Sequence, residues 1–498
     1  MIDRINNFYV KNIRITPFKT PLTIISIFVL AVCSVLLLPQ TNAAIINFLI
    51  SLKAAKSSAP LNVERWKTII YSYPAALFVL SLLVLYYTIV KNLSLRKKKI
   101  IYFVLIAGIL SVITLSTYYY GNNWLDSDVS SELVLGKMLS EENSMLSVNW
   151  EYSTEIRLIY QQFFMAPLFK IFTDWHIVRV ITVLLNNIIL LCSYFFMMKH
   201  LKVASKWVKL TALFLILPVN GGYWYVITFG GFYVFFTVMF FCFLGLFFML
   251  REENIKKKTE KIVFAFFCVL SILFGMGGIR AAMDIYVPIS ITCIFLYLKN
   301  KSAKNRYALF LSVLSLVLCG FGYIINTFMH KIYNFHSFQS MELDNLSASF
   351  FSKLGNIIFE FVLFFGYTPN SQVLSVNGAL GLLSVVLLVC ASITIFKLIT
   401  KRYKAQNTVQ DNADTKIFVV SFLVLSAFFH IFLFLFLDGD IGGRYFVPVL
   451  ILSIPAFAVL FEQTKTFFSP LKSSVFILFF TLILIMQGTI RLSAYNIE

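Results

Sequence analysis

The sequence predicts an all-α, polytopic membrane protein with about thirteen transmembrane helices and amphipathic interfacial helices in its external loops. Three observations carry that expectation. Hydrophobic residues fill 59% of the 498 positions and charged residues 13%, against roughly 25% charge in a globular domain, so the chain has more apolar surface than a soluble core could cover. The apolar residues fall in runs of about 20, the length that crosses a bilayer as a helix. The 42 Lys and Arg residues, although they leave a formal net charge of +19, recur in short clusters between those runs rather than in one patch. That pattern fits loops held on the cytoplasmic side and argues against a nucleic-acid partner.

Residues 1–20 carry Arg4, Lys11, Arg14 and Lys19 ahead of an apolar run from Pro21 to Leu38. The run exceeds the apolar core of a signal peptide, so an uncleaved anchor is expected. A second span is expected over Tyr73–Val90, closed by the basic cluster KNLSLRKKK. Residues 1–99 would therefore be an N-terminal pair of helices, and residues 100–498 the core. Within the core, spans are expected at Ile100–Thr117, at His176–Met198, and in two pairs around NGGYWYVITFGG and GGIRAAMD, where Gly and Asn mark tight turns. Further spans follow at Tyr307–Phe328, Gly378–Ile399, Ile417–Leu437, Tyr445–Phe461 and Ser474–Ile490. The run Phe350–Phe365 lies inside a second external segment, residues 329–374. Counting it as a crossing would put the basic KLITKRYK outside, so it is expected to lie in the interface.

This map places 29 of the 42 bases but only 7 of the 23 acids in cytoplasmic segments, leaving 13 bases against 16 acids outside. It predicts a cell-membrane protein with its N-terminus in the cytoplasm and its C-terminus outside. All seven cysteines fall inside apolar runs, where they act as small hydrophobes rather than as a disulfide framework.

The external loop at residues 118–179 holds eight of the 23 acids: Asp126, Asp128, Glu132, Glu141, Glu142, Glu151, Glu155 and Asp174. Asp126 and Asp128 come directly after a span, in Trp124-Leu125-Asp126-Ser127-Asp128. A helix is expected from Asp128 to Leu139, with Val129, Leu133, Leu135 and Leu139 on its apolar face. A second amphipathic helix, bent at Pro167, is expected between Thr154 and Phe172. Glu141, Glu142 and Glu151 read as solvating residues.

The stretch DSDVSSELVLGKML, placed after an N-terminal span and followed by an amphipathic loop and a span opening on Arg179, resembles the first external loop of GT-C glycosyltransferases. That superfamily includes the protein O-mannosyltransferases and the aminoarabinose transferases of lipid A. Asp126 and Asp128 match its acidic motif, while Val129 stands where many bacterial relatives carry Glu. The resemblance implies an inverting transfer of sugar from a polyprenyl-phosphate donor to an extracytoplasmic glycan or lipid acceptor. Asp128 would then be the general base, with Asp126 a second base or acceptor-orienting group.

A departing lipid phosphate needs cations, and arginine at membrane depth is costly enough to be read as functional. Arg444 in DGDIGGRYFVP and Arg280 in FGMGGIRAAMD both follow glycines at the outer end of a span, and Arg179 opens another. All three are candidates for the donor phosphate, although Arg280 could instead pair with Asp284 one turn on. Trp124, Tyr223, Trp224 and Tyr445 are candidate sugar or acceptor contacts. No cofactor is expected. His176, His330 and His336 have no carboxylate at ligand spacing, and a divalent cation at Asp126/Asp128 is the one metal arrangement the sequence leaves open. Two other functions share these features: a flippase or transporter of lipid-linked saccharides, which calls for charge buried along several spans, and a polysaccharide polymerase or ligase.

Overall fold

A computed structural model describes residues 16–36, 95–152, 158–217, 221–252, 256–278, 280–335, 350–367, 410–436 and 446–467, with isolated helical positions between 41 and 81 and between 378 and 393. The spans expected at Tyr73–Val90, Gly378–Ile399 and Ser474–Ile490 fall largely or wholly outside these residues. The chain divides into two compact units, one of Met1–Gly108 with Thr481–Glu498, the other Ile109–Phe480. In the first, helix α1 (Thr16–Leu36) presents Ile24, Ile25, Ile27 and Phe28 as exposed side chains. Helix α2 (Leu95–Tyr120) runs across the boundary between the units.

In the second unit the elements are α3 (Ser127–Glu142), α4 (Gln162–Phe169), α5 (Trp175–His200), α6 (Ser205–Ile216) and a π-helical segment (Trp224–Phe229). Then come α7 (Val234–Leu250), α8 (Lys257–Met276), a second π segment (Ala282–Tyr286) running into α9 (Val287–Lys299), and α10 (Ala303–Met329). Last are α11 (Phe350–Phe364), α12 (Gln410–Phe436) and α13 (Val447–Phe467). Five helices among the described residues are long and apolar enough to cross a membrane: Lys99–Tyr119, Trp175–His200, Lys257–Met276, Ala282–Lys299 and Ala303–Met329.

Packing closes a circuit from α5 through α7, α8, α10, α9, α12, α13 and α6 back to α5. Helix α7 (VFFTVMFFCFLGLFFML) is apolar on every side, which is the pattern of a helix surrounded by others. Its Phe243 stacks on Phe267 of α8 at 5.1 Å and meets Tyr286 edge-on at 4.9 Å, while Phe240 and Phe247 stack on Phe422 and Phe418 of α12 at 5.8 and 5.5 Å. Each such pair contributes about 0.5–1.5 kcal/mol beyond the area it buries. Between α8 and α10 the contact is made by glycines instead. A Cβ on Gly275 would lie 2.7 Å from the carbonyl carbon of Cys319, and one on Gly322 would lie 3.0 Å from the amide nitrogen of Met276. Small residues at such a crossing let two backbones touch.

The acidic segment folds as a layer over one end of this bundle. Helix α3 starts one residue before the expected Asp128, and its buried residues include the four expected apolar ones, Val129, Leu133, Leu135 and Leu139. It crosses α4 where Gly136 abuts Met165. The helix expected over Thr154–Phe172 is shorter, only Gln162–Phe169, with residues 153–157 outside the described set. Two short strands join the layer to the end of α10: β1 (Glu151–Tyr152) pairs in parallel with β2 (Asn334–Phe335), and Asn334 Nδ2 donates to Val148 O at 3.1 Å. Leu135, Leu139 and Tyr152 form a core there against Met329, Tyr333 and Phe335. His200 and Lys202 meet Glu252 at 3.3 and 3.9 Å at the opposite ends of α5 and α7.

Candidate active site

The geometry begins at Asp126. The chain leaves α2, makes a 3-10 turn over Gly121–Trp124, and reaches Asp126 in an extended conformation. Asp126, rather than Asp128, is the N-cap of α3: its Oδ1 accepts the Val129 amide at 2.9 Å, satisfying one of the donors a helix start leaves open. Its other oxygen, Oδ2, accepts a short hydrogen bond from the Tyr225 hydroxyl, which comes from the first π segment, 99 residues away in sequence. Asp128 sits in the first turn of α3, exposed, and its carboxylate makes no hydrogen bond or ion pair with any described residue.

Arg179 is tied to the turn that precedes these aspartates. It is 2% exposed, its Nη1 donates to Gly121 O at 2.8 Å, and its guanidinium covers the Phe229 ring at 3.9 Å. It is close enough to feel the charge of Asp126. Its Nε and Nη2 are buried and make no hydrogen bond to any described residue. A guanidinium supported from below by an aromatic face, with one edge unpaired, is a ready anion site.

The other acids have structural partners. Asp174 caps α5 through the amides of His176 and Ile177, and the His176 ring holds Tyr118 O at 2.7 Å. Glu132 pairs with Gln162 and Glu141 with Lys137. Glu142, expected to be a solvating residue, instead gathers the following loop: its Oε1 accepts from Ser147 Oγ at 2.9 Å and Asn149 Nδ2 at 3.0 Å. Those bonds hold the Glu142 carboxyl below its ordinary range. Glu155 lies outside the described residues.

A second polar group is built around Arg280. Its Nε meets Asp284 Oδ2 at 3.2 Å, the pairing one turn on that the sequence allowed, and its Nη1 donates to the Tyr233 hydroxyl at 2.7 Å. Asp284 is 2% exposed; its Oδ1 lies 3.0 Å from His430 Nδ1 of α12, and Ser426 Oγ donates to its backbone oxygen at 2.8 Å.

Residues 221–233 reach both groups, since Tyr225 contacts Asp126 and Tyr233 contacts Arg280. The stretch is gripped along α5: Asn187 Nδ2 donates to Thr228 O at 3.3 Å, and Gly231, at φ +72°, sits against Asn186 and Gln161. Both π segments, Trp224–Phe229 and Ala282–Tyr286, belong to this arrangement, and π turns recur at functional sites.

The aromatic platform expected from Tyr223 and Trp224 meets rings already occupied. Tyr223 is fully buried with its hydroxyl on Leu215 O at 2.5 Å, and Trp224 is stacked on Phe229 at 4.6 Å. Arg444 and Tyr445 lie outside the described residues, as does the Trp124 side chain. Among the described residues, no group of three or more His, Cys, Asp and Glu converges as a metal site would. From the sequence, Tyr225 reads as a ring that could stack on a sugar and His430 as a helix-packing polar residue, and nothing singles out Tyr233. Their partners are remote in sequence, and the available signal was an ionisable or hydroxyl-bearing residue inside an apolar run. No protein-family model matches the chain, and none of the curated proteins does.

Proposed function

We propose that this protein is a membrane glycosyltransferase of GT-C type that moves a sugar from a polyprenyl-phosphate donor to an extracytoplasmic glycan or lipid acceptor. The observation that carries the proposal is an exposed carboxylate at Asp128 with no partner among the described residues, two positions from Asp126, together with a buried guanidinium at Arg179 that feels the charge of Asp126 and whose Nε and Nη2 are unpaired among those residues. The reaction needs those two groups. An acceptor hydroxyl attacks the anomeric carbon and gives its proton to Asp128. The bond from that carbon to the phosphate oxygen breaks, and the polyprenyl phosphate departs with charge that Arg179 takes up, with Arg444 and Arg280 as further candidates.

The same reading sets the topology at about thirteen crossings with the acidic layer outside and the helix Phe350–Phe364 in the interface. Supporting it, the acid-rich layer and the Lys199–Lys209 cluster lie at opposite ends of α5. The test gives full-length protein in detergent a panel of polyprenyl-phosphate sugars and follows slow hydrolysis and transfer. Asp128→Asn should lower turnover by about 100-fold to 10,000-fold while leaving donor binding intact. Turnover retained by Asp128→Asn removes it as the base.

A transporter of lipid-linked saccharides is the second reading, and one observation favours it: Asp284 and His430, both buried, lie 3.0 Å apart between a π segment and α12, the sort of intramembrane ionisable pair that ion-coupled carriers use. Movement of a labelled lipid-linked sugar across liposomes by Asp128→Asn, with no hydrolysis by the wild type, would put this reading first.

A further inference from the structure

We infer that Tyr225 is a positioning residue for the acidic pair, and that it divides the labour between the two aspartates: Asp126 is the anchor and Asp128 the only one left to act as base. This inference rests on the transferase reading of the site. The two carboxylates are two residues apart and look equivalent in sequence, but their surroundings differ. Both oxygens of Asp126 are engaged, Oδ1 by the Val129 amide within its own helix and Oδ2 by the Tyr225 hydroxyl from across the bundle. A carboxylate that caps a helix with one oxygen and holds a phenol with the other is fixed in place, with both oxygens already accepting. Among the described residues, Asp128 has none of these partners.

The anchor is itself supported. The Tyr225 ring lies 5.4 Å from that of Phe232, and its backbone oxygen accepts the Gly230 amide at 2.7 Å. The stretch that carries it ends at Tyr233, whose hydroxyl accepts from Arg280. The start of α3 is thus referred to the interior of the bundle through one phenol. Without that bond the start of α3 would be held by its own cap, by the Glu132–Gln162 hydrogen bond and by the packing of Leu133 on Met165 and Phe169.

The experiment uses full-length protein carrying Tyr225→Phe, which removes the hydroxyl and keeps the ring. Hydrogen exchange read by mass spectrometry needs no substrate. Exchange across residues 126–133 should quicken about three- to tenfold, as expected for losing one partly exposed hydrogen bond to a charged group, while residues 205–216 stay unchanged. With the polyprenyl-phosphate sugar that the wild type turns over fastest, kcat should fall about tenfold at unchanged KM. Tyr225→Phe combined with Asp126→Asn should be no worse than the more damaging single change, because both remove the same bond. Asp126→Asn, which still caps the helix, should cost far less than Asp128→Asn.

Unchanged exchange across 126–133 overturns the anchor, whatever the donor assay reads. Multiplicative losses in the double variant, or a loss with Asp126→Asn as large as with Asp128→Asn, overturn the division of labour. Quicker exchange in a protein whose wild type turns over no donor upholds the anchor and overturns the transferase reading alone.

Discussion

Gly231 is where the site's support is most exposed to a single methyl group. At φ +72° it occupies the left-handed region, which costs an alanine roughly 1–2 kcal/mol. The added Cβ would also lie 2.5 Å from Asn186 Nδ2 and 3.0 Å from Gln161 Oε1, where ordinary contact begins near 3.4 Å. Both neighbours are buried, at 1% and 2% exposure, so neither amide can swing into solvent, and overpacking of this kind costs typically about 1–3 kcal/mol. Gly231→Ala should therefore lose about 2–5 kcal/mol, a large share of the roughly 5–15 kcal/mol that keeps a protein folded. Thermal melting of purified protein in detergent should fall by on the order of 5 °C. Adding Asn186→Ala relieves the nearest clash but not the backbone strain, so it should restore only part of the loss. Gly320→Ala is the control, since a Cβ there meets nothing within 4 Å, and alanine is favoured over glycine in a helix by about 1 kcal/mol. Melting of Gly231→Ala within a degree of wild type would show that residues 221–233 are not clamped between α5 and the acidic layer.

Three other outcomes follow from the same geometry. Arg179→Lys keeps the charge but loses the planar fork stacked on Phe229, so binding of a polyprenyl-phosphate sugar should weaken by about tenfold or more while the protein still melts cooperatively; unchanged affinity removes Arg179 from the site. Gly275→Ala would press a methyl group onto the Cys319 backbone, 0.7 Å inside the 3.4 Å contact limit at its carbonyl carbon, and should destabilise the α8–α10 crossing by about 1–3 kcal/mol, read as a lower melting temperature than for Gly320→Ala. Glu142 has a folded-state pKa lowered by Asn149 and Ser147, so its contribution is present above its unfolded value and is lost as pH falls through the folded one. Amide exchange in residues 142–149, corrected for intrinsic rate, should quicken on acidification below pH ~4, and Glu142→Gln should abolish that step.

Much of the helical framework was legible because it rests on local composition. The spans expected at Ile100–Thr117 and His176–Met198 lie inside α2 and α5, and the apolar face of α3 is the one its spacing gives. Interruptions were harder to read. Trp224–Phe229 and Ala282–Tyr286 are π-helical, and nothing in their apolar character distinguishes a π turn from an α turn, since the extra residue is accommodated by neighbours remote in sequence. The β1–β2 pairing is two residues long on each side and joins positions 151 and 334, so no local alternation could announce it. Glu142 is exposed, as expected, but its loop-gathering bonds could not be read for a related reason: its partners Ser144, Ser147 and Asn149 are polar residues of the kind that any exposed loop carries.

The site was legible in its residue types but not in its pairings, and the difference has a physical source. Low-dielectric surroundings make every buried charge seek a partner, so finding Arg280, Asp284 and His430 inside apolar runs already implied that they would meet something. Sequence separation cannot say what, except where helix geometry decides it, as for Arg280 and Asp284 four residues apart. Asp126 and Asp128 are the sharper case. A spacing of two residues at a helix start puts one carboxylate at the cap and the next inside the first turn, and the chain conformation chose Asp126 for the cap. That choice turns Oδ1 of Asp126 toward its own helix, leaves Oδ2 for Tyr225, and leaves Asp128 exposed, with no partner among the described residues. Shifting the helix start by two residues would exchange the roles of the two aspartates. The different surroundings of the two aspartates, on which the proposed roles of base and anchor rest, are therefore a consequence of where α3 begins, and Asp126 marks that point by its cap and its bond to Tyr225.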